Sequence, residues 1–228
     1  MSALSVVLSD ARLVAVRDLR IEARSRVVVE QVLPFAVTVL VLFGFALDAD
    51  HRALRNFAPG LFWVTILFSS LLAVQRSSSL EAVDGTETLL RMSGISPLGR
   101  YLGQSFALLI QLLVLEAVLV GGLTVLYGVE VEKWLLLAAT GVVAGVAVAA
   151  AGTLYGALSS GLGERQTTLL PILVLPVLAP VLIGATRAFD DALGAAAVDG
   201  WAWTGLLTVV ALILIVVGAL AYGALVED

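Results

Sequence analysis

The sequence has no cysteine, which excludes disulfides, thiol redox chemistry and thiolate-held metals. It has one histidine, His51, and one lysine, Lys133. A lone histidine is a poor start for a metal site, and none is expected. The lysine does not stand in a Walker A sequence, so the chain cannot hydrolyse ATP through a P-loop. HExxH, GxSxG and a pair of intramembrane aspartates are all missing. No catalytic residue is assigned and the chain is expected not to be an enzyme. Charge is scarce as well, at 14% of residues against 60% hydrophobic, with a mean hydropathy of +1.05. A soluble domain is nearer half apolar and a quarter charged. The composition therefore predicts an all-α polytopic membrane protein. The net charge of −5 gives no reason to expect a nucleic-acid partner. The acidic, Lys-poor, Ala/Val/Gly-rich composition suggests a high-salt habitat, although a GC-rich genome would give a similar Arg bias.

What is present is a series of apolar runs. Residues 1–26 hold five arginines (Arg12, Arg17, Arg20, Arg24 and Arg26) with no clean apolar core, unlike a signal peptide. Leu4, Leu8, Ala11, Ala15 and Leu19 recur at helical spacing. The pattern predicts an amphipathic helix along the membrane surface with arginines at the headgroups. Six spans follow: Val27–Leu47, Leu61–Val74, Leu102–Tyr127, Trp134–Leu158, Leu169–Thr186 and Trp201–Leu225. Span two is short for a core of about 30 Å. Its outer loop is read as DADHRALRNFAPG, ending at Pro59-Gly60. Pro171, Pro176 and Pro180 each remove a backbone donor, so span five is expected to be kinked or broken. Trp201 and Trp203 suit the interface at the start of span six. No internal repeat is visible, which argues against an inverted-repeat secondary transporter. The chain reads as one membrane domain over residues 1–228.

With six spans both termini share a side. That side holds Arg12, Arg17, Arg20, Arg24, Arg26, Arg76, Arg91, Arg100 and Arg165. The other holds Arg52, Arg55, Lys133 and Arg187. Nine against four places the termini and the 75–104 stretch in the cytoplasm of a cell-membrane protein. The opposite loops carry the acids Asp48, Asp50, Glu130, Glu132, Asp190, Asp191 and Asp199.

Three features are candidates for function. The first is the polar stretch Gln75–Gln104. Asp84 with Glu87 has the form of a capping box. Gly94 can close a helix in a left-handed conformation, and Pro97 prevents continuation. About nine residues, on the order of 13 Å of helix, lie between, with Leu89, Leu90 and Met92 as apolar anchors. Such a helix could dock on a soluble partner; the same residues also suit a solvated loop with one helical turn. The second is Glu116, an acid near the middle of span three. An intramembrane acid suggests function by default; a structural hydrogen bond or an aqueous cavity would also accommodate it. The third is the stripe Gly141, Gly145, Ala149, Gly152 and Gly156 in span four, which lets helix backbones approach closely in lipid. It fits an intramolecular contact and a dimer seam alike. His51, beside Asp50 and Arg52, reads as a solvated loop residue, with a single axial haem ligand as the competing use.

Glu81, Asp84-Gly85-Thr86-Glu87, Leu89-Leu90 and Ser96-Pro97 resemble the coupling-helix loop of type-2 ABC permeases. Three further stretches are similar to the haem exporter permease family CcmB of cytochrome c maturation. They are Arg17–Arg26 (RDLRIEARSR), Ala58–Arg76 (APGLFWVTILFSSLLAVQR) and Leu169–Ala188 (LLPILVLPVLAPVLIGATRA). Glu116 stands where that family tends to place a Glu. The resemblance spans nearly the whole chain, and the proline-rich span is its most specific part. RSSSLEAVDG departs from it, being less charged than usual. The resemblance implies a permease, working as a homodimer, with CcmA-like ATPase subunits docked through Glu81, Asp84, Gly85, Thr86, Glu87, Leu89, Leu90 and Met92. A CcmC-like haem-handling protein would lie beside it, and a CcmE-like haem chaperone outside. Haem is the candidate substrate, ATP acts through the partner, and no cofactor is assigned to this chain. Alternatives are a type-2 ABC exporter of another amphiphile or drug, and a non-transporting assembly scaffold.

Overall fold

Helix starts in this chain are set by short polar side chains placed just before apolar runs. The Asp50 carboxylate accepts from Arg52 N at 3.2 Å, and Leu54 N donates to Asp50 O at 2.8 Å, so Asp50 caps the next helix. Ser96 accepts from Gly99 N with Pro97 at the first helical position. Asp199 accepts from Trp201 N and Ala202 N, both at 3.1 Å.

The computed structural model describes residues 3–26, 28–47, 50–83, 94–160 and 166–227. Among these are α1 (Ala3–Ser25), a π-helical turn (Val28–Val32), α2 (Leu33–Ala46), α3 (His51–Val83), α4 (Pro97–Leu126), α5 (Trp134–Ser160), α6 (Gln166–Ala192) and α7 (Gly200–Glu227), with no strand among the described residues. Among the described residues six helical stretches are long and apolar enough to cross a bilayer: Val28–Ala46, His51–Gln75, Pro97–Leu126, Trp134–Leu158, Leu173–Ala192 and Gly200–Leu225. The protein is an all-α, multi-pass membrane protein.

Helix α5 is the centre of the bundle and packs on α3, α4, α6 and α7. Alanine and glycine dominate it, so four neighbours can approach. The main core brings Phe62 and Trp63 of α3 against Phe189 of α6, with ring centroids 4.9 to 5.3 Å apart. Around them lie Leu112, Leu115 and Leu119 of α4 and Ala144, Ala147 and Val148 of α5. A smaller cluster at the opposite end joins Tyr101, Ala150, Leu154 and Tyr222. The Tyr101 hydroxyl lies 3.2 Å from Ala150 O, and that of Tyr222 donates to Gln104 Oε1 at 2.6 Å.

Three expectations from sequence are corrected. Span two is not short, and the outer loop read as DADHRALRNFAPG is helical from His51. The helix begins at His51 and contains Pro59, because burial of Leu54 and Ala58 before the proline and of Phe62 and Trp63 after it holds the turns on either side. Span five is not broken. Helix α6 runs without interruption from Gln166 to Ala192, through Pro171, Pro176 and Pro180. Pro176 and Pro180 lie on its exposed face, while Val174, Leu178, Val181 and Ala185 face the core. The rings and the backbone carbonyls they leave unbonded therefore point away from the core. The polar 75–104 stretch is not all loop, since α3 reaches Val83 and α4 starts at Pro97.

Helix α1 also differs in its orientation. The face it docks on α4 carries Val14 and Ala15, the latter on the expected stripe, both buried, while Val6, Leu8, Leu13 and Val16 are exposed. The face that docks on α4 is fixed by Gly99 and Gly103. A Cβ at Gly99 would lie 2.6 Å from Asp10 Cβ, and one at Gly103 2.6 Å from Ala11 O. The two glycines cut a groove in α4 that admits the α1 backbone. Arg26, in the left-handed region at φ 53°, turns the chain from α1 toward the π-helical segment. There Glu22 accepts from Val28 N at 2.6 Å.

Candidate functional site

Position 116 puts a carboxyl on the face of α4 that meets α5. Glu116 is 6% exposed. Opposite it α5 presents Gly141 and Gly145. A Cβ at Gly141 would lie 2.5 Å from Glu116 Oε2, and one at Gly145 would lie 3.4 Å from Oε1. The acid thus fits only because α5 has no side chain there. Among the described residues Glu116 Oε1 has no hydrogen-bond partner. A buried acceptor left unmet costs on the order of 1–3 kcal/mol, a cost that packing alone gives no reason to keep.

Gly141, Gly145, Ala149, Gly152 and Gly156 are all buried. A Cβ at Gly152 would meet Val74 at 3.1 Å and Leu108 at 3.2 Å, so this part of the stripe faces α3 and α4 of the same chain. Pro176 and Pro180 lie on the exposed face of α6, and the side chain of Pro171 lies outside the described residues.

The candidate docking residues Asp84, Gly85, Thr86, Glu87, Leu89, Leu90 and Met92 lie outside the described residues, as does the side chain of Glu81. Their C-terminal flank is described. Gly94 is in the left-handed region at φ +70°. Ser96 then donates from its backbone N and from its hydroxyl to Asp10 Oδ2, at 3.0 and 2.9 Å. The segment's exit is therefore tied to α1.

The opposite end of the bundle is closed by charge. Arg55 meets Glu132 at 3.1 Å and Lys133 meets Asp191 at 2.6 Å. Asp191 also accepts from Gly200 N at 3.2 Å, and Glu132 N and Lys133 N both donate to Ala192 O at 3.0 Å. Asp190 and Asp191 end α6, where carboxylates oppose the helix dipole, and Lys133 and Arg187 offset them. The Tyr127 hydroxyl donates to Leu40 O at 2.7 Å. His51 is exposed on the first turn of α3, and a Cβ at Gly128 would lie 3.7 Å from its Nδ1. Among the described residues no three His, Cys, Asp or Glu side chains gather into a metal set.

Sequence reasoning missed the Asp10–Ser96 link, the α1 groove and the cross-bundle ion pairs. The Gly99-x-x-x-Gly103 spacing could have indicated the groove. The ion pairs join residues distant in sequence and leave no local signal.

A family model described as "CcmB protein" matches residues 10–228. Similar proteins include one named Heme exporter protein B from Haemophilus influenzae, 27% identical over 180 residues, covering 77% of this chain and 79% of its own. The protein of the same name from Paracoccus denitrificans is 33% identical over 184 residues, covering 79% and 83%. That from Escherichia coli K12 is 31% identical over 188 residues, covering 81% and 83%.

Proposed function

The chain belongs to the CcmB protein family, and from that premise we propose that it is the permease subunit of a haem exporter serving cytochrome c maturation. The observation that carries the proposal is the match over residues 10–228 to a family whose members are named haem exporters. The absence of a P-loop agrees with it, since energy must then come from a separate ATPase. That ATPase docks through the segment containing Asp84, Glu87, Leu89, Leu90 and Met92. The nine-to-four distribution of basic residues supports a cytoplasmic position for this segment and for both termini. Haem is the cargo handled by the complex. A haem-handling membrane protein and a haem chaperone are its further partners, and two copies of this chain form the transmembrane unit.

Deletion of the gene tests the proposal. Holo-cytochromes c, visualised by haem staining of membrane proteins, are expected to disappear and to return when the chain is supplied in trans. Normal haem attachment in the deletion strain would contradict it.

A further inference from the structure

The six-helix bundle holds one feature that neither packing nor ATPase docking accounts for, the carboxyl of Glu116. It is 6% exposed, and Oε1 has no partner among the described residues. Among the described residues no counter-charge faces it. The helix against it, α5, has no charged residue between Trp134 and Ser160. Helix α2 has none between Leu33 and Ala46, and in α7 the one charged residue is Glu227, at its far end. On α3 the charged residues are His51, Arg52 and Arg55 at one end, with Arg76 and Glu81 beyond Gln75 at the other. Arg100 of α4 is sixteen residues away, roughly 24 Å along the helix, and α1 docks at that same distant end, at Gly99 and Gly103.

An ionised carboxyl is an acceptor-only, negatively charged group, and on α5 this one is covered by Gly141 and Gly145, with Leu109 and Leu113 of its own helix beside the same seam. Small movements of α5 would uncover it, because no side chain has to leave. We propose that Glu116, seated on these two glycines, is a cation-accepting site in the α4–α5 seam. When the helices part, its free oxygen takes a small cation or a cationic group from water. The site is separate from the ATPase docking segment, and its sign suits a positively charged ligand.

The chain's lack of cysteine makes a direct test possible. Leu113 lies beside Gly145 in the same seam, 4.0 Å from a Cβ built there. The full chain carrying Leu113→Cys, in lipid, is treated with cationic and anionic methanethiosulfonates of similar size. The cationic reagent is expected to react faster by about tenfold or more, the gain that one focused charge commonly gives. Adding Glu116→Gln should remove that preference while leaving reaction measurable. Tetramethylammonium should slow the cationic reagent when Glu116 is intact, a measurement that needs no change at position 116. No reaction with either reagent, equal rates in the Glu116 background, a preference that survives Glu116→Gln, or no protection by tetramethylammonium would each overturn the proposal.

Discussion

Single glycines differ sharply in what they support. At Gly103 an added methyl would meet backbone, Ala11 O at 2.6 Å, and Val14 Cβ at 2.7 Å. Neither atom can swing aside, so Gly103→Ala should push α1 off α4. Limited proteolysis of the purified chain is expected to release the α1 segment faster than in wild type. Gly60, inside α3, has nothing within 4 Å of the added methyl. Gly60→Ala should therefore be neutral or stabilise by about 0.4–1 kcal/mol, through loss of unfolded-chain freedom. Thermal denaturation separates the two cases. His51 illustrates a residue whose chemistry suggests more than its position does. It is exposed at a helix start, beside Gly128, with no other histidine in the chain. His51→Ala should leave holo-cytochrome c formation unchanged; loss of maturation at normal protein level would restore a ligand role.

Among the elements, α5 determines how the others sit. Gly145→Leu would drive a branched side chain toward Leu109, Leu113 and Glu116. A cost of about 1–3 kcal/mol is expected from overpacking, read as a lower melting temperature of the purified chain; an unchanged value would mean that the stripe does not bear packing. The bounds of α5 were legible in sequence because the charged run ends at Lys133 and nothing polar enough to stop a helix follows before Ser159. The start of α3 was not, because Pro59-Gly60 has the form of a turn. Only the burial of Leu54 and Ala58, a tertiary fact, holds that helix through the proline. Whether the three prolines interrupt α6 was not legible for a related reason. Pro176 and Pro180 are tolerated on an exposed face, and face is not apparent until the neighbours are known. Glu116 was legible as an isolated intramembrane acid. Its seat on Gly141 and Gly145 was not, although both halves were visible, because nothing local relates residue 116 to residue 141. The α1 stripe was offset for the same reason, since the docked face is chosen by Gly99 and Gly103.

At the scale of the whole molecule, the proposed function couples a six-span bundle to an energy source in a separate subunit. Its orientation can be checked first. Ser78→Cys should resist an impermeant thiol reagent in intact cells and react after lysis, and labelling in intact cells would reverse the topology. The dependence on a separate ATPase is the central claim. In the proposed docking, helix-in-groove binding would concentrate in a few apolar anchors, Leu89, Leu90 and Met92. The most direct measurement is retention of the ATPase by Leu90→Asp in a detergent pull-down, with holo-cytochrome c formation scored in the same cells. Loss of a good anchor costs about 2 kcal/mol or more, roughly thirtyfold in affinity. The expected result is a permease still present in the membrane at wild-type level, with the ATPase detached and maturation lost. Wild-type retention of the ATPase with normal maturation would contradict the account and shift the docking role to another cytoplasmic segment, residues 159–168 first.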